Sequence, residues 1–240
     1  MIDDNGSTEI NAALFRRFMV VGPADTVELT LFDSRKKVSV AYARTEADHI
    51  RLMRDADSRS DVSGVYTVFN RIHDGLYARI GEGKWTPFAS RASDNDVTQV
   101  VAVYLDFDCV RPRDISSTDG EKAAAYDVSK ACEEFLATAL GGDECLGRGD
   151  SGNGYSLFVA LKPVMPSDDT RKRIERFLKA MAVKFNTPRV KVDATVCNPA
   201  RLCPAFGTRK RKGVDCRERP HRGTFFSCRP IVRRIPIEAL

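Results

Sequence analysis

Three aspartates carry the chemistry that this sequence is able to perform. Asp106 and Asp108 close the stretch from Thr98 to Asp108, TQVVAVYLDFD, which reads as a buried strand with an acidic end. Residues two apart share a strand face, so both carboxylates point the same way as Tyr104 and Ala102. Val101, Val103, Leu105 and Phe107 take the opposite face into a core. An unpartnered ionised carboxylate is costly to bury, and two on one face suggest a shared divalent cation. Standing alone, the pair reads equally as a strand cap and the start of the turn to Arg111-Pro112. Asp193 supplies a third carboxylate, on a predicted strand from Val190 to Val196 with Lys191 and Thr195 on its face. Three such groups can hold two divalent ions, which lower the pKa of an attacking hydroxyl and stabilise a leaving pyrophosphate. That is the requirement of nucleotidyl transfer.

Anion-binding features accompany the acids. The turn Ser151-Gly152-Asn153-Gly154 allows positive φ and close approach of backbone N–H groups to an anion, and Ser151 adds a hydroxyl. Taken alone it is also an ordinary hairpin turn. The formal net charge is +5, unevenly distributed. From Arg201 onward eleven basic residues face three acidic ones, with Arg209, Lys210, Arg211 and Lys212 in one run. Such a segment suits a polyanion such as single-stranded nucleic acid, or forms a solvated tail. Replacing Arg209, Lys210 and Arg211 together is expected to weaken DNA binding and spare the metal site.

The elements that must position these groups alternate. A helix is predicted over about Thr8 to Val21, capped by Ser7 or Thr8 and stopped by Gly22-Pro23. Val27 to Phe32 and Lys37 to Ala43 form a hairpin through Asp33-Ser34. Thr45 caps a helix to about Asp57, and Ser63 to Asn70 is a strand. Gly75 to Ser93 is loop-like and holds Trp85, a base-stacking platform or a lid over the core. Ser116-Ser117-Thr118 with Glu121 is a capping box for a helix to about Leu140, ended by Gly141-Gly142. The glycine turn leads into a strand reaching Leu161, and a helix spans about Ser167 to Phe185. From Asn198 the chain reads as irregular. The pattern is that of a mixed α/β (α+β) protein with a cleft.

At 240 residues the chain can build one large domain or two packed modules. Its longest apolar run is far below the roughly 20 residues that span a bilayer, and the start MIDDNGSTE is no secretory signal. A cytoplasmic protein without membrane partners is expected. Seven scattered cysteines fit free thiols. The irregular spacing of Cys203, Cys216, His221 and Cys228 argues against a zinc site.

The order of motifs resembles a known family. DFD at 106–108, SGNGYS at 151–156, VDATVCNPARL at 192–202, GTRKRKG at 207–213 and RPHR at 219–222 look like the catalytic domain of the archaeo-eukaryotic primase superfamily. Within it, the resemblance is to the primase-polymerase branch of phages, plasmids and other mobile elements. GVYTVFN (64–70), LYARI (76–80) and RPRDISST (111–118) are similar to that branch too, so the resemblance covers most of the chain from Gly64.

The resemblance implies an N-terminal α/β module, about 1–95, packed on an RRM-like module with the basic segment, about 96–240, and an active-site cleft between them. It implies template-directed synthesis of primers or DNA from NTPs or dNTPs with Mg²⁺ or Mn²⁺, on a single-stranded DNA template and primer. Asp106, Asp108 and Asp193 would be the catalytic metal ligands. Ser151, Gly152, Ser156, Arg201, Lys212 and His221 would serve the nucleotide, and Arg219 and Arg222 would join Arg209, Lys210 and Arg211 near nucleic acid. A helicase or accessory domain is expected to follow Leu240.

One position departs from the family, whose second motif ends in histidine where this chain has Ser156. A neutral hydroxyl donates to phosphate more weakly than an imidazolium. The alternative is therefore a weakened or inactive nucleotide- or nucleic-acid-binding module. A replication-initiation nickase needs a His-x-His pair, which is absent among His49, His73 and His221.

Overall fold

The computed structural model describes residues 7–22, 25–81 and 83–240. Met1 to Gly6, including most of the acidic start, and Pro23, read as part of a helix stop, lie outside the described residues. The fold is a mixed α/β one. Helix α1 (Thr8–Phe18) starts where the Ser7 hydroxyl accepts from the Ile10 N–H, and ends earlier than expected. Val20, in the left-handed region at φ 55°, turns the chain away. Strands β1 (Val27–Asp33) and β2 (Val38–Ala43) form the expected antiparallel hairpin, with Phe32 opposite Val38. The Asp33 carboxylate accepts from the Arg35 and Lys37 amides and closes its turn. Thr45 caps α2 (Glu46–Ser58), accepting from the Asp48 N–H at 3.0 Å.

The strand expected over Ser63 to Asn70 divides between two sheets. Its main part, β3 (Val62–Val68), pairs with β1, and two residues later β4 (Arg71–Ile72) pairs with the acidic strand. Asn70 fastens that corner: it donates to the Pro199 carbonyl at 2.9 Å and accepts from the Val101 N–H at 3.0 Å. The loop that follows contributes a 3-10 turn over Asp74–Arg79 and then β5 (Thr86–Pro87), which borders β2. Trp85 is half-buried against the core beneath α2, so it is a lid and not an open platform.

The acidic strand is β6 (Val97–Cys109), which continues into α3 (Asp119–Ala139) through the predicted Thr118–Glu121 capping box. Then come β7 (Leu146–Asp150), β8 (Tyr155–Val164), α4 (Asp168–Phe185) and β9 (Val190–Val192). Across this sheet the strands run β7-β8-β6-β9, all antiparallel, the split β-α-β-β-α-β arrangement. Both faces of β6 are buried. Tyr104 joins Phe158, Phe15, Phe18, Phe69, Phe206 and Phe226 in an aromatic cluster under α1. Val101, Val103, Leu105 and Phe107 occupy the other side, that of α3.

The segment after Asn198 is not irregular. It supplies β10 (Leu202–Pro204) to the edge of the first sheet beside β3, and β13 (Phe225–Cys228) to the edge of the second beside β7. Between them β11 (Arg209–Lys210) and β12 (Arg222–Gly223) form a short ribbon. The first sheet thus reads β10-β3-β1-β2-β5, built from both ends of the chain. The proposed boundary near residue 95 therefore does not coincide with the division between sheets. Strands of two to four residues interrupted by proline and arginine carry no readable alternation.

Candidate active site

Asp106 and Asp108 stand on the last turn of pleat in β6, next to the strand that delivers Asp193. Asp108 is paired with Lys191 of β9, and the Asp193 N–H donates to the Asp106 carbonyl at 3.0 Å. Backbone pairing thus brings the three acidic residues side by side along the main chain. Burial, then Asp108, then Asp193, push the Asp106 carboxyl up to about 7, while Arg201 and a hydrogen bond from Tyr104 oppose the rise. This crowding of like charge is what a cation would relieve.

Asp193 does not lie on a strand face with Lys191 and Thr195, as the sequence suggested. β9 ends at Val192, because the Asp193 carboxylate captures the Thr195 N–H at 2.8 Å and its hydroxyl at 2.6 Å. Such side-chain capture of backbone competes with the ladder. Its other oxygen lies 3.4 Å from Arg201, and Asp108 lies 3.3 Å from Arg111. Among the described residues no three His, Cys, Asp or Glu side chains are gathered as metal ligands. Carboxylate oxygens are the donors that hard divalent cations take, so the donor type fits. The side chains themselves are turned toward two arginines.

The glycine turn abuts this acidic end. A Cβ on Gly154 would stand 2.4 Å from the Phe107 carbonyl and 3.2 Å from an Asp108 oxygen, so only glycine permits the approach. Within the turn the Gly152 N–H is taken by Asp150 and the Gly154 N–H by the Ser151 hydroxyl. Asn153 is buried, its Oδ1 accepting from the Ser117 N–H at 2.8 Å, and its Nδ2 has no partner. Ser156 lies opposite Asp106 but is fully buried, its hydroxyl 3.5 Å from the Gly149 carbonyl. Gly149 and Phe206 close over it, so it is not presented to a nucleotide in this structure.

A cleft of about 820 Å³ runs beside Arg201, between the first sheet and the ribbon. Arg201, Lys212 and His221 line it, together with Lys36, Arg91, Lys210 and the edge-to-face pair Phe32–Tyr66 at 5.4 Å. The sequence reading missed the contributions of Phe32, Lys36, Tyr66 and Arg91. They come from distant strands and carry no local signal. It also gave Arg111 no role, although the Asp108-x-x-Arg111 spacing places that guanidinium beside the carboxylate.

The five residues expected at nucleic acid divide differently. Arg211 is held by Asp57, Arg219 by Glu121 and Ser116, and Arg222 by Asp119 and Ser117. These three tie the ribbon to α2 and α3. Lys210 is buried, and only Arg209 is exposed. Cys203 is buried whereas Cys216 is exposed. His49 is buried beside Arg16. No helix among the described residues is long and apolar enough to cross a membrane.

The sequence matches no protein-family model and none of the curated proteins. Among solved structures the chain is similar to the polymerase domain from Mycobacterium tuberculosis Ligase D in complex with DNA. That likeness covers 90% of this chain and 80% of the other, at 12% identity and a TM-score of 0.47. A likeness of this degree assigns no residue a role.

Proposed function

We propose that this chain is a DNA primase-polymerase that joins nucleotides by metal-dependent transfer on a single-stranded template. The observation that supports the reading is the backbone bond from Asp193 to Asp106, which brings the main chain of a third acidic residue beside the Asp106/Asp108 pair. Arg201 then links that acidic end to the basic cleft.

In this reading a nucleoside triphosphate lies in the cleft with its phosphates toward Arg201, Lys212 and the Ser151 turn. The Phe32–Tyr66 wall offers apolar surface to the base. Mg²⁺ or Mn²⁺ held by Asp106, Asp108 and Asp193 would supply charge neutralisation at the reacting phosphate and the leaving pyrophosphate. Arg111 and Arg201 keep the carboxylates spaced and hydrogen-bonded beforehand. The primer 3′-hydroxyl oxygen bonds to the α-phosphorus, the bond to the β-phosphate bridge breaks, and the hydroxyl proton passes to solvent.

A module that binds nucleotides or nucleic acid without turnover is the second reading. It is favoured by the burial of Ser156 and by the two arginines on the carboxylates. Primer extension with Mn²⁺, wild type beside Asp106→Ala, tests both. Extension by the wild type alone supports the polymerase, and equal extension refutes the metal assignment. Nucleotide binding without extension selects the second reading.

A further inference from the structure

Among the described residues lining the cleft, Lys210 is the buried cation without an ionic counterpart. Lys210 is 7% exposed, and its stem is gripped between two glycines. A Cβ on Gly64 would meet Nζ at 3.0 Å, and one on Gly152 would meet the lysine Cβ at 3.0 Å. Nζ lies 3.7 Å above the centre of the Tyr66 ring and lines the cleft. The attraction of a cation to an aromatic face falls well short of the desolvation of a buried ammonium.

The acids of the cleft are engaged elsewhere. Asp61 is bound by Arg59, Asp114 by Lys36, and Asp33 by the Arg35 and Lys37 amides. The remaining charged or titratable groups facing the cleft are Arg91, Arg201, Arg211, Lys212, His221 and Tyr66. None is an anion at neutral pH. Arg201, Arg211 and Arg91 already face Asp193, Asp57 and Glu28. Burial, reinforced by Lys212, holds the Lys210 amine well below the ordinary lysine range.

We propose that Lys210 is the phosphate sensor of the cleft, a buried amine that takes up a proton as a polyphosphate enters. This rests on the reading of the cleft as a nucleotide site and goes beyond it, because it couples binding to proton uptake. The entering anion supplies the negative charge that the fold withholds. Tyr66 then holds the ammonium from behind while its N–H groups face the phosphates. One proton moves from solvent to the amine, and no covalent bond changes.

Calorimetric titration at about pH 8, in buffers of different ionisation enthalpy, measures the proton count directly. The probes are inorganic tripolyphosphate and ATP. The expected result is uptake of about one proton per probe bound by the wild type. Lys210→Met, which keeps the stem, should bind both probes more weakly and take up almost none. His221→Gln should retain the uptake. Thermal melting confirms that each variant is folded. Binding by the wild type without uptake, or equal uptake by Lys210→Met, overturns the proposal and leaves the nucleotide reading standing. Uptake with tripolyphosphate but no binding of ATP supports the sensor and refutes the nucleotide reading. Binding of neither probe overturns both.

Discussion

The Asp193 amide is bonded to the Asp106 carbonyl at 3.0 Å, so two acids distant in sequence are joined by main chain. Removing a carboxylate therefore need not disturb the strand pairing that places it. The Asp106 carboxyl titrates near 7 in the fold, against 3.8 for the ordinary group. Between those values the folded state holds a proton that the unfolded state has lost, so apo stability falls as pH rises from about 4 to about 7. Asp106→Asn should abolish that fall and raise the melting temperature at pH 8, a gain of about 1–3 kcal/mol after allowance for solvent screening. The same variant, like Asp193→Asn, should lose the Mn²⁺-induced thermal shift. Extension should drop at least about 100-fold. A variant that is less stable and still shifted by Mn²⁺ would remove the metal assignment.

The acidic strand was legible because an apolar run ends in two carboxylates spaced two apart, whereas its pairing register was not. The helix caps at Thr45 and Thr118 were equally plain, since a hydroxyl before a helical run has a local job to do. The strand through Asp193 was overestimated. Its alternation continued past the point where the Asp193 side chain took over the Thr195 amide. The basic segment misled more deeply. Charge alone does not distinguish a solvated arginine from one that ties a ribbon to a helix, and Arg211, Arg219 and Arg222 are of the second kind. The wall formed by Phe32 and Tyr66 had no signature, because it exists only once β1 and β3 are paired.

His49, on α2, should make the protein acid-sensitive. It is buried against Arg16, and burial followed by that charge drives its imidazole down to about 3. The unfolded chain binds the proton near 6.5, so stability is full above that value and declines as pH falls toward 3. The slope is about 1.4 kcal/mol per pH unit. His49→Gln, which keeps an acceptor for Arg16, should flatten the acid limb of a denaturation-midpoint profile between pH 4 and 6. An unchanged limb would place the acid sensitivity elsewhere.

Arg209 and Arg211 should give opposite signatures. Arg209 is the exposed member of the run, and its side chain is available to a phosphate. Arg209→Ala should weaken single-stranded DNA binding and reduce the slope of log affinity against log salt by about 0.7, with melting unchanged. Arg211 instead donates to the Asp57 carboxylate and carbonyl. Arg211→Ala should lower the melting temperature by an amount equivalent to about 1–2 kcal/mol. Replacing both with Lys210, as the sequence first suggested, would mix affinity, stability and proton coupling in one measurement. If Arg209→Ala binds DNA like the wild type at low salt, the ribbon is not the nucleic-acid surface.

Ser156 separates a family-based expectation from the geometry of this chain. Its hydroxyl is enclosed, 3.5 Å from the Gly149 carbonyl, at a distance where the bond is weak. Ser156→Ala should therefore change stability by less than about 1 kcal/mol, and should leave the KM for nucleotide unaltered. Ser156→His introduces the histidine that the sequence resemblance would place there, but the site has no room for it. A Cβ on neighbouring Gly149 would already lie 2.5 Å from the serine oxygen and 2.4 Å from Phe206. The imidazole must displace that ring from the aromatic cluster, at a cost of about 1–3 kcal/mol, and extension should not exceed that of the wild type. Steady-state extension and thermal melting on the two variants decide the matter. A higher KM in Ser156→Ala, or a more active and equally stable Ser156→His, would mean that the face beneath Phe206 opens to the nucleotide.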